Sequence, residues 1–298
     1  MKTQFQQIGF IGLGVMGEPI CRNLALKSGI AVLGHDLDTA PAERLRNHGV
    51  QPAKSVQSAA KGSDVVFLSL PSGEIVQQVA RQRGGLLESA HPGQIIVDTG
   101  TSPVDMAREL AKEFAGRGAS FVDAPVARTR AAAETGTLSV MVGAEPQTFE
   151  AIRSLLATFA SDVTLCGPVG CGQVVKILNN MILFETLVAI AEAKAIGERA
   201  GVDATLLFDT LSKGSADSFA LRNHGMKAIL PDEFPERSFS VEYAQKDLRY
   251  ALRLAQDTGV EALGARTVDL WLERAAEAGY KDSYHPVISR MIARGAAK

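Results

Sequence analysis

Short apolar runs alternate with helical patterns across the first 166 residues, and this alternation constrains the fold more than any other feature. The runs lie at 7–12, 30–35, 64–70, 94–99, 120–124, 138–143 and 162–166, and helical patterns fill gaps such as 15–26, 39–48, 73–82, 103–116 and 146–158. Near-continuous apolar strands separated by helices predict a parallel sheet covered on both faces. We therefore expect the α/β class, with a doubly wound, Rossmann-type domain first.

The pattern changes at the cluster GPVGCG, residues 167–172. Beyond it the periodicity is helical to the C-terminus, without a convincing strand. One long helix is predicted from about Gly172 to Ala200, ended by Gly201. The sequence thus predicts two domains, an α/β domain at 1–167 and an all-helical domain at 168–298.

Composition narrows the choice of partners and location. The 298 residues carry a formal net charge of −2, so no large basic field is present to attract nucleic acid or an anionic membrane. Three cysteines and five histidines show no disulfide framework and no metal-ligand spacing. The chain runs into its first strand without a signal-peptide pattern, and Glu185 interrupts the longest apolar run. We expect a cytoplasmic protein without a membrane span.

The first predicted strand is followed by GLGVMG, which has the spacing G-x-G-x-x-G. Gly12 permits a tight turn, Gly14 lets the backbone approach a pyrophosphate, and Gly17 lets helix and strand pack closely. The phosphates of a dinucleotide would then lie at the N-terminus of the following helix. The alternative is a glycine-rich turn, but the preceding strand and following helix favour a cofactor loop comprising Gly12, Leu13, Gly14, Val15, Met16 and Gly17.

An acidic residue closes the second predicted strand. Asp36, in LGHDLD, lies 19 residues beyond Gly17, where a carboxylate typically binds the ribose hydroxyls. A carboxylate in that place would repel a 2′-phosphate, so the sequence predicts NAD in preference to NADP.

Four blocks of sequence resemble one family. GFIGLGVMGEPICRNL is similar to the N-terminal signature of the β-hydroxyacid dehydrogenases, the 3-hydroxyisobutyrate dehydrogenase family. DAPV followed by AxxGTLSVMVG looks like its substrate segment, GCGQVVKILNN like its catalytic segment, and FSVEYAQKDLRYAL like its C-terminal lysine motif. The blocks occur in the expected order and cover nearly the whole chain. The resemblance implies a nicotinamide-dependent oxidoreductase acting on a short β-hydroxyacid or semialdehyde.

The resemblance also implies roles for individual residues. Lys176 matches the catalytic lysine, and Asn180 matches the substrate-binding asparagine. The residues implied to border or cover the cofactor are Leu70, Pro71, Thr101 and Lys246, and Thr101 also falls beside the substrate.

Lysine suits the chemistry that the resemblance implies. Reduction of a carbonyl needs a proton donor at the developing alkoxide, and the reverse reaction needs a proton acceptor. A lysine does both where burial or a nearby cation lowers its pKa from a free value of about 10.4. Lys176 and Asn180 are i and i+4 on the predicted long helix, so both project from one face. The alternative for Lys176 is a solvated surface lysine.

The substrate segment departs from the family at Ala127-Arg128-Thr129, where many members have Ser-Gly-Gly. An arginine and threonine there are similar to the pattern of sulfolactaldehyde reductases of the same family. A guanidinium suits a carboxylate or sulfonate, and Thr129 adds a hydroxyl donor. We therefore expect Arg128 and Thr129 to bind an anionic substrate; the alternative is that Arg128 pairs with an acid of the protein. Arg130 is expected to be a solvated or structural charge.

Several alternatives remain open on the sequence. The substrate can be 3-hydroxyisobutyrate-like, or sulfolactaldehyde, succinic or tartronic semialdehyde. Imine reductases share the fold but usually carry Asp or Tyr where Lys176 stands, and a protein of another class would bind the dinucleotide without catalysis. The apolar long helix predicts a homodimer or homotetramer.

Overall fold

A computed structural model of the chain describes residues 5–236 and 238–294. The chain divides into two compact units, Met1–Lys176 and Ile177–Lys298. This division falls later than the boundary predicted between residues 167 and 168, which stays a prediction.

The described residues of the first unit form nine strands and eight complete helices. The strands are β1 (Gln7–Ile11), β2 (Ala31–His35), β3 (Val50–Pro52), β4 (Val65–Leu68), β5 (Ile95–Asp98), β6 (Ser120–Asp123), β7 (Val126–Ala127), β8 (Leu138–Gly143) and β9 (Ala160–Gly167). The helices are α1 (Gly17–Lys27), α2 (Thr39–Leu45), α3 (Val56–Ala60), α4 (Gly73–Arg81), α5 (Leu86–Ser89), α6 (Val104–Ala115), α7 (Arg130–Thr135) and α8 (Pro146–Leu156).

The sheet has the strand order β3-β2-β1-β4-β5-β6-β8-β7, and β9 also pairs with β8. Its first six strands are parallel in the order 3-2-1-4-5-6 that is typical of doubly wound dinucleotide-binding folds. The α/β fold class and all seven predicted strands are confirmed. The expectation of a wholly parallel sheet was wrong for β8, which runs antiparallel to both β6 and β7.

The reversal at β8 follows from the short connection before it. A parallel crossover normally needs a helix long enough to cover the sheet, whereas α7 has six residues and lets the chain turn back. The sequence pattern of apolar residues in β8 is the same for either direction, so the prediction did not distinguish them.

Alternating side chains of the parallel strands enter two separate cores. Val65 and Phe67 of β4 pack with Phe10 on one face of the sheet. Val66 and Leu68 of the same strand pack on the other face. All four residues of β4 are buried, as expected for a strand covered by helices on both sides.

The described residues of the second unit are helical, with one isolated bridge between Ser240 and Tyr284. The division lies inside α9 (Cys171–Arg199), and the helices that follow are α10 (Ala204–Leu211), α11 (Val241–Asp257), α12 (Leu263–Glu277) and α13 (Ile288–Arg294), with a π-helix at Leu221–Ile229 and a 3₁₀ turn at His285–Val287. The predicted long helix is confirmed.

The core of the second unit is built on helix α9. Phe184 and Leu187 of α9 pack with Leu248 of α11 and Val268 of α12. By length and composition alone α9 is apolar enough to cross a membrane, because it contains an 18-residue window of mean hydropathy 1.7. Of that window, 44% is buried inside the chain, and the core helix of a soluble protein meets the same criterion.

Candidate active site

The glycine loop joins β1 to α1, and packing explains two of its three glycines. Gly12 has φ +92°, and a Cβ there would lie 2.3 Å from the carbonyl oxygen of Ser69. A Cβ on Gly17 would lie 1.9 Å from the carbonyl oxygen of Gly12. A Cβ on Gly14 would meet no heavy atom within 4 Å, so its bare backbone faces open space.

The loop leads directly into helix α1, whose first turn follows Met16. Met16 occupies the N-cap position and makes no side-chain cap hydrogen bond. Glu18, in the first turn, instead pairs with Arg44 at 2.8 Å, and the hydrogen bond from that guanidinium lowers the pKa of the Glu18 carboxyl. The helix therefore begins without a side-chain acceptor at its N-cap.

Asp36 follows the last residue of β2 and holds the glycine loop from the side. Its Oδ2 accepts a hydrogen bond from the Leu13 amide at 2.5 Å, and its Oδ1 accepts one from the Asp38 amide at 2.9 Å. The carboxylate is half-buried at the edge of the sheet where the loop begins. The contact with Leu13 is a structural role that the sequence pattern did not predict.

Residues of two further loops lie along the same edge of the sheet. Leu70 and Pro71 follow β4, and Thr101 follows β5, which pairs in parallel with β4 so that Leu68 faces Asp98. Leu70 and Thr101 are half-buried and Pro71 is exposed. Because β1 pairs with β4 in parallel as well, the glycine loop and these residues share the carboxyl edge of the sheet, which is where open α/β sheets bind ligands.

A buried carboxylate fixes the beginning of helix α9. Asp123, the last residue of β6, accepts hydrogen bonds from the amides of Gly170 at 2.7 Å and Gln173 at 2.8 Å. Burial raises the pKa of Asp123 to about 6, although these amides act in the opposite direction. A Cβ on Gly172 would lie 2.4 Å from the carbonyl oxygen of Met141, so the helix passes directly over β8.

Lys176 lies in the second turn of α9, after this anchored first turn, and only 9% of it is exposed. The alternative of a solvated surface lysine is therefore wrong for this position. Reasoning from the sequence missed the polar residues that fix the loop after β5 and the start of α9, namely Asp98, Asp123 and Gln173. The sequence did contain a signal for the two carboxylates, because the neighbouring strands β5 and β6 each end in an aspartate.

The structure places the Arg128 guanidinium on an acid of the protein, the alternative that the sequence left open. It donates to Asp162 Oδ2, to Ser161 Oγ and to the carbonyl oxygen of Thr137, each at 2.7 Å. The side chains of Arg128 and Asp162 remain 38% and 56% exposed. Binding of a substrate anion by Arg128 stays a prediction. It requires the guanidinium to leave Asp162 and bind the substrate anion instead.

The residues after Arg128 begin helix α7. Thr129 is exposed and occupies the N-cap, where its hydroxyl oxygen accepts from the Ala132 amide at 3.4 Å. In the structure the Thr129 hydroxyl therefore caps helix α7, whereas the sequence analysis expected it to bind the substrate. Arg130 pairs with Glu134 at 3.0 Å one turn later, which confirms it as a structural charge.

Two residues that match the family, Asn180 and Lys246, come together within the second unit on a shared carboxylate, Asp247. Asn180 of α9 is buried and donates from Nδ2 to Asp247 Oδ2 at 2.7 Å. Lys246 Nζ lies 2.9 Å from the other oxygen of Asp247 and within 5.3 and 5.7 Å of the ring centroids of Tyr250 and Tyr243. Lys246 is thus not a solvated helix lysine, and the buried Asp247 that joins it to Asn180 was not singled out from the sequence.

Comparisons with known proteins agree with this architecture. The family model described as the NAD binding domain of 6-phosphogluconate dehydrogenase matches residues 7–167, and that described as NAD-binding of NADP-dependent 3-hydroxyisobutyrate dehydrogenase matches residues 170–292. A 2-(hydroxymethyl)glutarate dehydrogenase of Eubacterium barkeri is 35% identical over 254 residues, which cover 85% of this chain and 84% of that protein.

Two further proteins carry the name of the same enzyme. The mitochondrial 3-hydroxyisobutyrate dehydrogenase of Rattus norvegicus is 34% identical over 256 residues, covering 84% of this chain and 75% of that protein. The solved structure of the Mycobacterium tuberculosis 3-hydroxyisobutyrate dehydrogenase with L-serine superposes with a TM-score of 0.88 at 29% identity, covering 97% of this chain and 99% of that one.

The fold and the glycine loop define an oxidoreductase with an NAD(P)-binding α/β unit followed by a helical unit. The chain belongs to the β-hydroxyacid dehydrogenase family and is an NAD(P)-dependent hydroxyacid dehydrogenase. The family and the enzyme class expected from the sequence are confirmed.

Proposed function

We propose that the chain transfers a hydride between NAD and a short anionic β-hydroxyacid, or the corresponding semialdehyde, with Lys176 as the general acid and base. The observation that carries the proposal is the position of Lys176. It is buried, and the helix turn before it is fixed by Asp123 at the end of β6. Substrate carbonyl reduction would take a proton from the Lys176 ammonium, and alcohol oxidation would return it to the amine.

The residues of the glycine loop fit a dinucleotide. The open space at Gly14 leaves room for a pyrophosphate against the backbone, and the N-cap of α1 lacks a competing side-chain acceptor. When bound, the nicotinamide supplies or accepts the hydride. We assign cofactor contacts to the loop residues Gly12 to Gly17 and to Leu70, Pro71, Thr101 and Lys246.

The preference for NAD over NADP rests on Asp36. Its carboxylate stands at the end of β2, where the ribose hydroxyls lie in this fold, and would repel a 2′-phosphate. Replacing Asp36 by Ala should raise the ratio of kcat/KM for NADPH to that for NADH by about tenfold. Asp38→Ala is the matched control, because its exposed carboxylate caps α2; an equal rise there would indicate an effect of net charge alone.

The substrate class follows from the family and from the polar groups that the chain offers. The named relatives act on 3-hydroxyisobutyrate and 2-(hydroxymethyl)glutarate, and both compounds carry a hydroxymethyl group beside a carboxylate. We propose Asn180, Thr101 and Thr129 as substrate contacts, and Arg128 where it exchanges Asp162 for a substrate anion. Succinic, methylmalonate and tartronic semialdehyde and sulfolactaldehyde complete the panel to be tested.

The test is turnover of this panel with NADH by the wild type, Lys176→Ala and Lys194→Ala. We expect Lys176→Ala to lose at least about a hundredfold in kcat, because the proton donor is removed. Lys194 is on the same helix and pairs with Glu198 at 2.9 Å, so its replacement should change kcat by less than about twofold. Equal turnover by all three proteins would refute the assignment of Lys176.

Two statements about the whole protein complete the proposal. Helix α9 exposes the apolar side chains of Leu178 and Ile182 one turn apart, and Ile196 further along, which supports a homodimer or homotetramer. Light scattering after size exclusion measures the mass. We also propose a cytoplasmic location, which cell fractionation tests.

A further inference from the structure

The side-chain amide of Gln173 spans the backbone on both sides of Thr101. Its Oε1 accepts a hydrogen bond from the Ser102 amide at 3.0 Å, and its Nε2 donates to the Gly100 carbonyl oxygen at 2.8 Å. Gln173 is fully buried. One side chain therefore holds the two peptide groups that flank Thr101.

A glutamine is suited to this contact because its amide carries both a donor and an acceptor in one plane. Glutamate would place an oxygen against the Gly100 carbonyl oxygen, and methionine would leave both peptide groups without the Gln173 partner. A buried peptide group that loses its partner costs more than the hydrogen bond itself contributes.

The same loop is held from its other side by Asp98. Asp98 Oδ1 accepts from the Gly100 amide at 2.9 Å, and its Oδ2 accepts from the Ser102 hydroxyl at 2.8 Å. A Cβ on Gly100 would lie 3.1 Å from the Leu70 carbonyl oxygen, so the loop also packs closely against the segment that follows β4. The backbone around Thr101 is thus fixed by strand β5 and by helix α9 together.

The position of Gln173 itself is fixed, since its backbone N–H donates to the buried Asp123 at 2.8 Å. Lys176 follows three residues later on the same helix, and residues three apart are neighbours on a helix surface. The Gln173 side chain therefore connects the loop of Thr101 to the helix turn that precedes Lys176.

We propose that Gln173 is a positioning residue, which sets the placement of Thr101 relative to the helix carrying Lys176. The inference rests on the proposed roles of Lys176 and Thr101. A hydride donor, a substrate and a proton donor must be aligned closely, and a displacement of about 1 Å can cost on the order of a hundredfold in rate. Loss of the contact should therefore lower kcat more than it raises KM.

Gln94 provides a matched control within the same unit. It is also fully buried, and its Nε2 donates to the carbonyl oxygens of Ala60 at 2.9 Å and Ser63 at 2.8 Å. Replacing Gln94 by Met removes a buried amide that binds two backbone groups, as Gln173→Met does, but these groups do not flank Thr101. A loss of stability alone would affect both variants in the same way.

The experiment measures kcat and KM with NADH, and amide hydrogen exchange of the full chain without cofactor, for Gln173→Met, Gln173→Glu and Gln94→Met. We expect Gln173→Met to lower kcat per folded enzyme by about tenfold or more, with faster exchange at the Ser102 amide. Gln94→Met should change kcat by less than about twofold. If Gln173→Met does not fold, Gln173→Glu carries the test through kcat. It retains the acceptor for Ser102 but loses the donor to Gly100, so its kcat should still fall by about tenfold, and a kcat equal to that of Gln94→Met would overturn the inference.

Equal kcat in Gln173→Met and Gln94→Met would overturn the inference, as would unchanged exchange at the Ser102 amide in a folded Gln173→Met protein. Failure of the proposed function is distinguishable, because it would appear as full turnover by Lys176→Ala whatever the exchange at Ser102 shows.

Discussion

Several loops of the first unit enter the left-handed region of backbone conformation, and two of them do so with opposite kinds of residue. Gly12, in the glycine loop, has φ +92°, and Arg128, in the loop after β7, has φ +87°. At Gly12 a Cβ would collide with the Ser69 backbone, so only glycine fits. At Arg128 a long side chain occupies a conformation that costs a non-glycine residue roughly 1–2 kcal/mol.

The difference between the loops lies in what their own sequence reveals. Gly12 is a glycine between a predicted strand and a predicted helix, so the sequence predicted its turn, although the Ser69 backbone that excludes a Cβ lies far along the chain. The Arg128 loop is held by Ser161 and Asp162, more than thirty residues later in the chain. A pattern of neighbouring residues does not contain that partner.

The largest expected effect is a loss of stability in the glycine loop. Comparing alanine substitutions at Gly17 and Gly14 separates the glycine needed for packing from the glycine needed for the ligand. Gly17→Ala should lower the free energy of unfolding by about 3 kcal/mol or more, because the new Cβ meets backbone that cannot move away. Gly14→Ala should change it by less than about 0.5 kcal/mol, because the space there is open. Urea unfolding measures both variants.

For cofactor binding, the variant expected to have almost no effect on stability, Gly14→Ala, should have a large effect. Gly14→Ala should weaken NADH binding by about tenfold or more in a fluorescence titration, since the added methyl group occupies the approach of the pyrophosphate. Unchanged NADH affinity in a folded Gly14→Ala protein would contradict the assignment of the loop.

A smaller effect is expected at Arg128, where the two possible truncations differ in backbone strain. Both Arg128→Ala and Arg128→Gly remove the three hydrogen bonds, but only glycine relieves the left-handed conformation. Arg128→Gly should therefore be more stable than Arg128→Ala by about 1 kcal/mol in urea unfolding.

Arg130 supplies the control for this comparison. It lies in helix α7, where alanine is preferred to glycine, so Arg130→Ala should be at least as stable as Arg130→Gly. The same order at both positions would show that the left-handed conformation of Arg128 stores no strain.

These particular residues show how far sequence reasoning reaches. The parallel strands, the glycine loop and the long helix were predicted because apolar period and glycine spacing are local properties. The two-residue β7, the short helix α7 and the direction of β8 were missed or wrong because they are too short for a period or depend on pairing. Gln173 and Asp247 were missed because a buried polar residue is recognisable only from the distant groups that it contacts.

The smallest expected effect concerns the pairing of Arg128 with Asp162 under acid and salt. Hydrogen bonds from Ser161 and from Arg128 lower the pKa of the Asp162 carboxyl. The pair is therefore complete at neutral pH, and its contribution is lost as the pH falls below the ordinary value of about 3.9 and through the lowered pKa.

Tryptic cleavage after Arg128 and Arg130 reports on this loop directly, because both side chains must leave their partners to enter a protease. Since both members of the pair are exposed, Asp162→Asn should raise the cleavage rate at neutral pH only about two- to fivefold. In the wild type, 1 M salt should produce a similar rise by screening, whereas in Asp162→Asn it should produce almost none. Equal salt dependence in the two proteins would mean that the pair does not hold the loop, and that the cap at Thr129 does.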